Sequence, residues 1–295
     1  MALSLKYITT LITYFLIVFS GNEFKHRLKM NLNCSLNSLH LNRADSNCLN
    51  CSDVKRMKPV KLLDRGIVKK VWLVDWDGNE IVVSKLTNPI YQSDFFKNLK
   101  NLLEFQSSKM VTKVLGFCGH SIFYEYYRFG NMNNLHSILP KYRLFSFKSK
   151  FKFCIDYVQI INFLHQSSMV MCDSNSLQKT LSQYLISDNL EILLNDMDAC
   201  PKLSKNKTII CGHRSIRGDL VAPEQIIKGN HYDHRIDIWK IPDVCHWIIK
   251  DTKVPSFSLK ILHWIHGRCK SLQPTLRPDA NNVLSVYQIV MYLLP

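Results

Sequence analysis

The chain has 295 residues, of which 46% are hydrophobic and 21% are charged, and its formal net charge at pH 7 is +15. This composition excludes a disordered or low-complexity chain and predicts one large globular domain or a two-lobed one. The basic excess favours anionic partners, but the lysines are scattered and form no arginine-rich run or recognition-helix pattern, so we expect no nucleic-acid partner.

An apolar stretch lies at the N-terminus, from Tyr7 to Ser20, with basic residues on both sides. It is shorter than the roughly 20 apolar residues of a full membrane span. It fits either a cleavable signal peptide or a short signal anchor. We interpret residues 1–30 as a short cytosolic tip and a signal anchor that holds the chain at a membrane. The basic residues that follow the stretch favour, by themselves, a cytosolic location for the rest of the chain.

Glycosylation sequons and cysteines favour the opposite side of the membrane. Sequons begin at Asn33, Asn50 and Asn206, and the chain has ten cysteines, more than a cytosolic protein usually needs. Two of the sequons and three of the cysteines fall within residues 31–60. We give these features more weight than the basic residues and interpret 31–60 as a lumenal stem.

The region that follows the stem resembles the small lobe of a protein kinase. Residues 61–74 and 80–86 are rich in apolar residues and predict strands joined by a turn. In kinases a glycine-rich loop covers the ATP phosphates, and a lysine on the next strand holds them. Gly66 aligns with the second glycine of that loop and Lys69 with the third, whereas Ser84 replaces the strand lysine. A loop lysine can reach the same phosphates, as in the with-no-lysine kinases that this detail resembles; alternatively, Lys69 is a surface residue and nucleotide binding is lost.

A helix and a further strand complete the predicted small lobe. Residues 94–105 have helical spacing of apolar residues. The glutamate that pairs with the strand lysine in kinases would fall near Asn98, so that ion pair is absent. Residues 121–127 predict a strand at whose end Glu125 and Tyr126 would offer backbone groups to adenine.

The stretch from Met169 to Asp198 carries the candidate catalytic residues. Asp173 lies on a polar loop, Gln183 begins the first strand of a predicted hairpin, and Asp196 follows the second strand. Two carboxylates placed in this way suit the orientation of a hydroxyl and the binding of Mg²⁺ beside a phosphate. This is the arrangement of a kinase catalytic loop and of the metal-binding Asp-Phe-Gly motif. Gln183 stands where ordinary kinases have a second metal-binding asparagine.

Three later motifs match the large lobe of kinases in order and spacing. They are the A-P-E that ends at Glu224, the D-x-W that begins at Asp237, and the R-P that begins at Arg277. We predict a buried ion pair between Glu224 and Arg277 that anchors the activation segment.

Together the motifs predict an α+β, two-lobed, protein-kinase-like fold over residues 61–295, behind the N-terminal signal anchor. The small N-lobe is rich in β-strands and ends near residue 127. The larger C-lobe is helical and begins near residue 128.

The residues around Asp173 depart from the usual pattern. Met171 and Cys172 replace the His-Arg that normally precedes the catalytic aspartate. No arginine is therefore available there to bind an activation-loop phosphate, and we do not expect regulation by such phosphorylation. Because the activation segment passes the catalytic loop, a disulfide between Cys172 and Cys211 is a further hypothesis.

Five strings of the chain resemble the protein O-mannose kinase family: MCDSNSLQKTLSQYL, NDMDA, CGHR, GDLVAPEQ and RIDIWKIPD. The similarity runs from about residue 62 to residue 287. It implies a single-pass type II protein of the endoplasmic reticulum membrane with a lumenal kinase domain. It also implies transfer of the γ-phosphoryl group of ATP to the 6-hydroxyl of an O-linked mannose. The implied acceptor is a GalNAc-GlcNAc-mannose trisaccharide on an α-dystroglycan-like glycoprotein.

The resemblance also implies roles for particular residues. Asp173 matches the catalytic aspartate, Asp196 the metal-binding aspartate and Lys69 the loop lysine. Gln183 would be the second metal ligand. The implied cofactors are ATP and Mg²⁺ or Mn²⁺, since both ions accept oxygen ligands.

Two other functions are compatible with parts of the sequence. A lumenal pseudokinase would bind a glycan or a partner protein without phosphoryl transfer, and the missing strand lysine and helix glutamate favour it. Against it, the chain keeps both Asp173 and Asp196. A Ser/Thr protein kinase fits less well, because Asn175 stands where such kinases have a lysine two residues after the catalytic aspartate.

Overall fold

The computed structural model describes residues 49, 51–204, 208–211, 217–227 and 229–294. These residues form two compact units, divided between Tyr126 and Tyr127. The predicted signal anchor, most of the predicted stem and the acceptor asparagine of each sequon lie outside the described residues. Within the described part of the chain, no helix combines the length and the apolar character that crossing a membrane requires.

The first unit contains one antiparallel sheet and one long helix. The strands are β1 (Met57–Arg65), β2 (Lys69–Trp76), β3 (Asn79–Leu86), β4 (Val114–Cys118) and β5 (Ser121–Glu125), and the helix is α1 (Gln92–Glu104). The strands lie in the order β1-β2-β3-β5-β4. The helix predicted over 94–105 is therefore confirmed, with its start two residues earlier.

The strand predicted over 61–74 is in fact two strands, β1 and β2, joined by a tight turn. The N–H of Gly66 donates to the carbonyl of Lys69 at 2.9 Å. The backbone N–H and the hydroxyl of Thr87 both donate to the carbonyl of Val68, at 3.0 and 3.1 Å. The chain reverses direction here between two apolar-rich stretches, and Gly66, directly after the charged Asp64 and Arg65, is the local sign of the turn.

A disulfide ties the start of the described chain to the sheet. Cys51 is bonded to Cys118 at the end of β4. Beside it, the N–H of Leu49 donates to the carbonyl of Leu115 at 2.9 Å. A Cβ on Gly116 would overlap the backbone of Leu49, so only glycine permits this close approach.

The second unit is mainly helical. Its longer helices are α3 (Phe147–Gln166), α4 (Leu177–Ser182), α6 (Arg235–Ile248), α7 (Ser256–Cys269) and α8 (Ala280–Tyr292). Two single turns, α2 (Leu135–Ile138) and α5 (Pro223–Ile226), and a short antiparallel hairpin, β6 (Tyr184–Ile186) with β7 (Ile192–Leu194), complete it.

Helix α3 lies at the centre of the second unit and packs against α6 and α8. Ser146 caps its first turn, because the Ser146 hydroxyl accepts the N–H of Ser149 at 3.1 Å. Phe151 and Tyr157 are fully buried on this helix. The last turn of α3 leads directly into the loop that carries Asp173, so the core fixes where that loop begins.

The predicted ion pair between Glu224 and Arg277 is confirmed. Two guanidinium nitrogens of Arg277 donate to the two carboxylate oxygens of Glu224, at 2.5 and 2.8 Å, and both side chains are buried. Arg277 also donates to the carbonyl of Arg235 at 3.1 Å. The pair therefore fixes α5 to the start of α6. A β-sheet unit followed by a helical unit with this anchor fits the predicted α+β, protein-kinase-like fold.

A buried histidine makes the stability of the second unit depend on pH. The Nε2 atom of His266 on α7 lies 2.6 Å from the hydroxyl of Tyr287 on α8. Burial, reinforced by the nearby His246, His263 and Lys270, lowers the pKa of His266 to about 3. The imidazole is therefore neutral in the folded protein at ordinary pH.

We predict that His266 makes the protein less stable in mild acid. Its folded pKa lies below its usual value of 6.5, so the unfolded chain binds more protons as the pH falls from 6.5 towards 3. The contribution of neutral His266 is complete above pH 6.5 and falls by about 1.4 kcal/mol per pH unit well below it. Urea unfolding between pH 7.5 and pH 5 measures this loss.

The matched variants are His266→Phe, which fills the same space without titrating, and His231→Gln, which changes an exposed histidine. His266→Phe should flatten the acid dependence, and His231→Gln should keep it. An unchanged acid dependence in His266→Phe would show that other groups cause it.

Candidate active site

Backbone pairing brings the loop of Asp173 next to the loop of Asp196. The N–H of Val170 donates to the carbonyl of Pro201 at 3.2 Å, and the N–H of Cys172 donates to the carbonyl of Ala199 at 3.0 Å. The acceptors follow Asp196 closely in the chain. Met169, Val170 and Met171 are buried, whereas Cys172 and Asp173 are partly exposed.

A buried ion pair on α6 holds this loop on both sides of Asp173. A carboxylate oxygen of Asp237 accepts the N–H of Met171 at 3.0 Å, and the ammonium group of Lys240 donates to the carbonyl of Met171 at 2.8 Å. Lys240 also donates to the hydroxyl of Ser174 and to Asp237, the latter at 3.0 Å. Residues two before and one after Asp173 are thus fixed to the helical core.

The surroundings of Asp237 keep its carboxyl group ionised. Burial disfavours the charge, but Lys240, the hydrogen bond and charge of His165, and the N–H of Met171 outweigh it and hold the pKa of Asp237 below its usual value. The Nε2 atom of His165 lies 3.2 Å from Asp237. His165 is therefore a helix-end residue that contacts α6, and its Nε2 atom is engaged there.

The structure places Gln183 directly after helix α4, not in the first strand of the hairpin as predicted. The stretch between Asp173 and β6 contains this helix, which the sequence analysis did not predict. The side-chain amide nitrogen of Gln183 donates to the carbonyl of Lys179 at 3.1 Å. Its backbone carbonyl accepts the N–H groups of Asn195 and Asp196 at 2.9 and 3.2 Å. Gln183 is thus held against the residue predicted to bind metal.

The side-chain oxygen of Gln183 suits a cation. It is buried and accepts no hydrogen bond from the part of the chain that the structure describes. Native proteins seldom leave such an acceptor without a partner. Mg²⁺ uses oxygen ligands and typically takes one or two from the protein, with the rest from water and substrate phosphates. An amide oxygen on Gln183, whose backbone carbonyl accepts the N–H of Asp196, is compatible with that ligand set.

Asp173 forms an ion pair that the sequence analysis missed. The ammonium group of Lys179, on α4, lies 2.7 Å from a carboxylate oxygen of Asp173. Burial opposes the charge on Lys179, but Asp173, and then Asp196 and Asp198, outweigh it and raise the pKa of Lys179. The chain has 38 lysines and arginines, and no sequence pattern marks Lys179 among them. Its position beside Asp173 depends on the helical conformation of residues 177–182.

The activation segment, which is the stretch that leads to the A-P-E motif, is joined to the loop of Asp173 at two points. The hypothesised disulfide between Cys172 and Cys211 is confirmed. Further along, the carbonyl of Asn175 accepts the N–H of Leu220 at 3.0 Å, and its side-chain amide donates to the carbonyl of Arg217 at 2.9 Å. Asn175 is therefore engaged in holding this segment.

In the first unit, Lys69 is the first residue of β2. It pairs with Leu86 of β3, and Val71 pairs with Ser84, so Lys69 and Ser84 lie on the same face of the sheet as diagonal neighbours. Ser84 is only 2% exposed. A long side chain from Lys69 is thus placed beside the position where kinases usually have their strand lysine.

The other predicted residues of the first unit lie at the ends of its strands. Gly66 is exposed in the turn between β1 and β2, and Glu125 and Tyr126 lie at the end of β5. Asn98 of α1 is buried and donates to the hydroxyl of Tyr124 at 3.3 Å. The sequence analysis expected a neutral residue here in place of the kinase glutamate. A contact between two neutral side chains is consistent with that expectation.

Within the second unit, backbone hydrogen bonds and the contacts of Lys179 bring Asp173, Gln183 and Asp196 together. Lys69, Gly66, Glu125 and Tyr126 belong to the first unit.

No family model matches the chain. Several curated relatives carry the name protein O-mannose kinase. The relative from Gallus gallus is 38% identical over 83% of this chain and 76% of its own length. Those from Macaca fascicularis and Homo sapiens are 38% and 37% identical, each over 82% of this chain and 75% of their own length.

The chain belongs to the protein O-mannose kinase family.

Membership of the protein O-mannose kinase family makes the chain a phosphotransferase with an alcohol group as acceptor. A kinase of this class uses ATP and a divalent metal ion.

We predict that Gly218→Ala disrupts the loop that carries Asp173. Gly218 has a φ of +150°, and a Cβ there would overlap the backbone carbonyl of Asn175. Either the activation segment or the loop of Asp173 must move. We expect a loss of about 1–3 kcal/mol in the free energy of unfolding, together with reduced phosphoryl transfer. Urea unfolding and a transfer assay measure the two effects.

Gly267→Ala is the matched control. Gly267 lies inside α7 at an ordinary helical φ, and a Cβ there would meet no atom within 4 Å. Alanine should leave transfer unchanged and add roughly 0.5–1 kcal/mol of stability. Wild-type stability and activity in Gly218→Ala would show that the contact with Asn175 is not required.

Proposed function

We propose that the chain transfers the γ-phosphoryl group of ATP to the 6-hydroxyl of an O-linked mannose. The observation that carries this proposal is the position of Asp173: a partly exposed carboxylate on a loop that the buried Asp237–Lys240 pair fixes on both sides. A binding protein without catalysis does not need a carboxylate held so firmly. The relatives named protein O-mannose kinase supply the acceptor.

In this proposal, Asp173 orients the sugar hydroxyl and accepts its proton as transfer proceeds. Asp196 and Gln183 hold Mg²⁺ or Mn²⁺. The ion, when bound, neutralises charge on the ATP phosphates. The contact between the carbonyl of Gln183 and the N–H of Asp196 supports this shared role, because it fixes the two ligands relative to one another.

Lys69 binds the α- and β-phosphates in place of the strand lysine. Its position on the same sheet face as buried Ser84 supports this role. Gly66, in the adjoining turn, leaves the backbone uncovered for the phosphates. The backbone groups of Glu125 and Tyr126, at the end of β5, bind adenine.

The acceptor that we propose is a GalNAc-GlcNAc-mannose trisaccharide on an α-dystroglycan-like glycoprotein. We also propose that the chain is a single-pass type II protein of the endoplasmic reticulum membrane, held by residues 1–30, with its kinase domain in the lumen. Two disulfides among the described residues support an oxidising compartment.

Buried Ser84 and Asn98 are the observations that would favour a pseudokinase in place of the enzyme. Both replace charged residues that ordinary kinases use around ATP. Phosphoryl transfer by the purified chain decides between the two.

We predict that the full chain transfers phosphate from ATP to the synthetic trisaccharide, and that Asp173→Asn lowers the turnover number by roughly 10²–10⁴-fold. The amide keeps the size of the side chain but cannot accept the proton. Asp251→Asn is the control, because Asp251 is exposed and has a positive φ that asparagine tolerates. Absence of transfer by the native chain, with the trisaccharide still bound, would favour the pseudokinase.

We predict that Lys69→Ala weakens ATP binding by about 10- to 100-fold, since a hydrogen bond to a charged group contributes about 1.5–3 kcal/mol. Titration with a fluorescent ATP analogue measures the affinity. Lys70→Ala is the matched control, because Lys70 is the next residue on β2 and its side chain lies on the opposite face of the sheet. If Lys69→Ala binds ATP as the native chain does, another group holds the phosphates.

A further inference from the structure

We propose that Lys179 contacts the phosphoryl group during its transfer and replaces the lysine that follows the catalytic aspartate in protein kinases. This inference rests on the proposed function and assigns a further catalytic residue to it. The position two residues after Asp173, where that lysine normally lies, is occupied by Asn175. The amide of Asn175 is neutral and donates to the carbonyl of Arg217 in the activation segment.

The geometry of Lys179 is set by a helix that the sequence does not reveal. The hydroxyl of Ser176 accepts the N–H of Lys179 at 3.4 Å, and the hydroxyl of Thr180 donates to the carbonyl of Ser176 at 2.8 Å. A further bond, from the side chain of Asn133 to the carbonyl of Gln178 at 3.2 Å, fixes the outer side of α4. The helix thereby directs the ammonium group of Lys179 to within 2.7 Å of Asp173.

The pair between Lys179 and Asp173 is poorly suited to a purely structural role. The side chain of Lys179 is 43% exposed and that of Asp173 is 35% exposed. Ion pairs exposed to this extent contribute little to stability, because water competes for both charges. The pair between Asp237 and Lys240, in contrast, is fully buried and fixes the same loop. Loop position therefore does not require Lys179.

The charges around Lys179 explain why a cation is needed there. The ammonium group of Lys179 lies 2.7 Å from Asp173, and the backbone pairing of Cys172 with Ala199 brings Asp196 and Asp198 near the same loop. These carboxylates would repel an approaching triphosphate. A lysine among them offsets part of this charge and supplies three N–H donors that can turn from a carboxylate to a phosphate oxygen.

The same turn of helix also positions a proposed metal ligand. The backbone carbonyl of Lys179 accepts the side-chain amide of Gln183 at 3.1 Å, which leaves the Gln183 oxygen available for a cation. Helix α4 therefore supplies both a phosphate-binding cation and the anchor of a metal ligand.

The mannose O6 forms a bond to the γ-phosphorus while the bond from that phosphorus to the bridging oxygen breaks, and ADP leaves with the electron pair. The hydroxyl proton passes to Asp173. Lys179, paired with Asp173 beforehand, donates to the oxygens of the phosphoryl group as it transfers, where a fixed cation lowers the barrier most.

The test compares the full chain with Lys179→Ala, Lys179→Arg and the control Lys260→Ala, which changes an exposed lysine on α7. We expect Lys179→Ala to lower kcat by about 10²- to 10³-fold, with the KM for the trisaccharide and the melting temperature unchanged. Lys179→Arg should recover at least a tenth of the native kcat, because it keeps the positive charge. Lys260→Ala should match the native chain in every measurement.

Each other outcome overturns the inference. A native kcat in Lys179→Ala would show that the lysine makes no contact in the transition state, while the proposed function would stand. Equal losses in the Ala and Arg variants with a lowered melting temperature would assign Lys179 a structural role. Absence of transfer by the native chain would instead overturn the proposed function, and the inference with it.

Discussion

The buried pair of Asp237 and Lys240 is the interaction on which the active site depends. Two charges without access to water are costly to bury unless hydrogen bonds satisfy them. Here the backbone of Met171 and the hydroxyl of Ser174 do so. The consequence is geometric: the loop that carries Asp173 takes its position from a core helix about 65 residues further along the chain, and not from its own flexible sequence.

Much of the fold was predictable because kinase lobes are marked by short, ordered motifs. The ion pair of Glu224 with Arg277 followed from two such motifs, and so did the position of Asp237 at the start of a long helix. The turn at Gly66 was missed as a strand boundary because apolar residues occur on both sides of it, at Leu62 and Leu63 and again at Ile67 and Val68. A periodic pattern reports which face is buried, but it does not report where the backbone reverses.

The site was predictable only in its acidic residues. Asp173 and Asp196 belong to recognisable strings, whereas Lys179 and Lys240 are two among many lysines. Their roles arise from contacts through space. Lys240 belongs to a buried ion pair within α6, and Lys179 is placed beside Asp173 by the short helix α4. The role of Gln183 as a metal ligand stays a prediction. Gln183 was assigned to a strand because the helix before it is only six residues long and has no distinctive apolar pattern.

The bond between Cys172 and Cys211 bears on how such an enzyme is controlled. Many kinases keep the activation segment loose until a phosphate, added by another kinase, draws it onto the catalytic loop. Here the segment is joined to the residue next to Asp173 by a covalent bond. We therefore expect the enzyme to become active once, when the disulfide of the newly made chain forms, and to stay active afterwards. The activity of such an enzyme would depend on the concentrations of its substrates and on the redox state of its surroundings, and not on a signalling cascade.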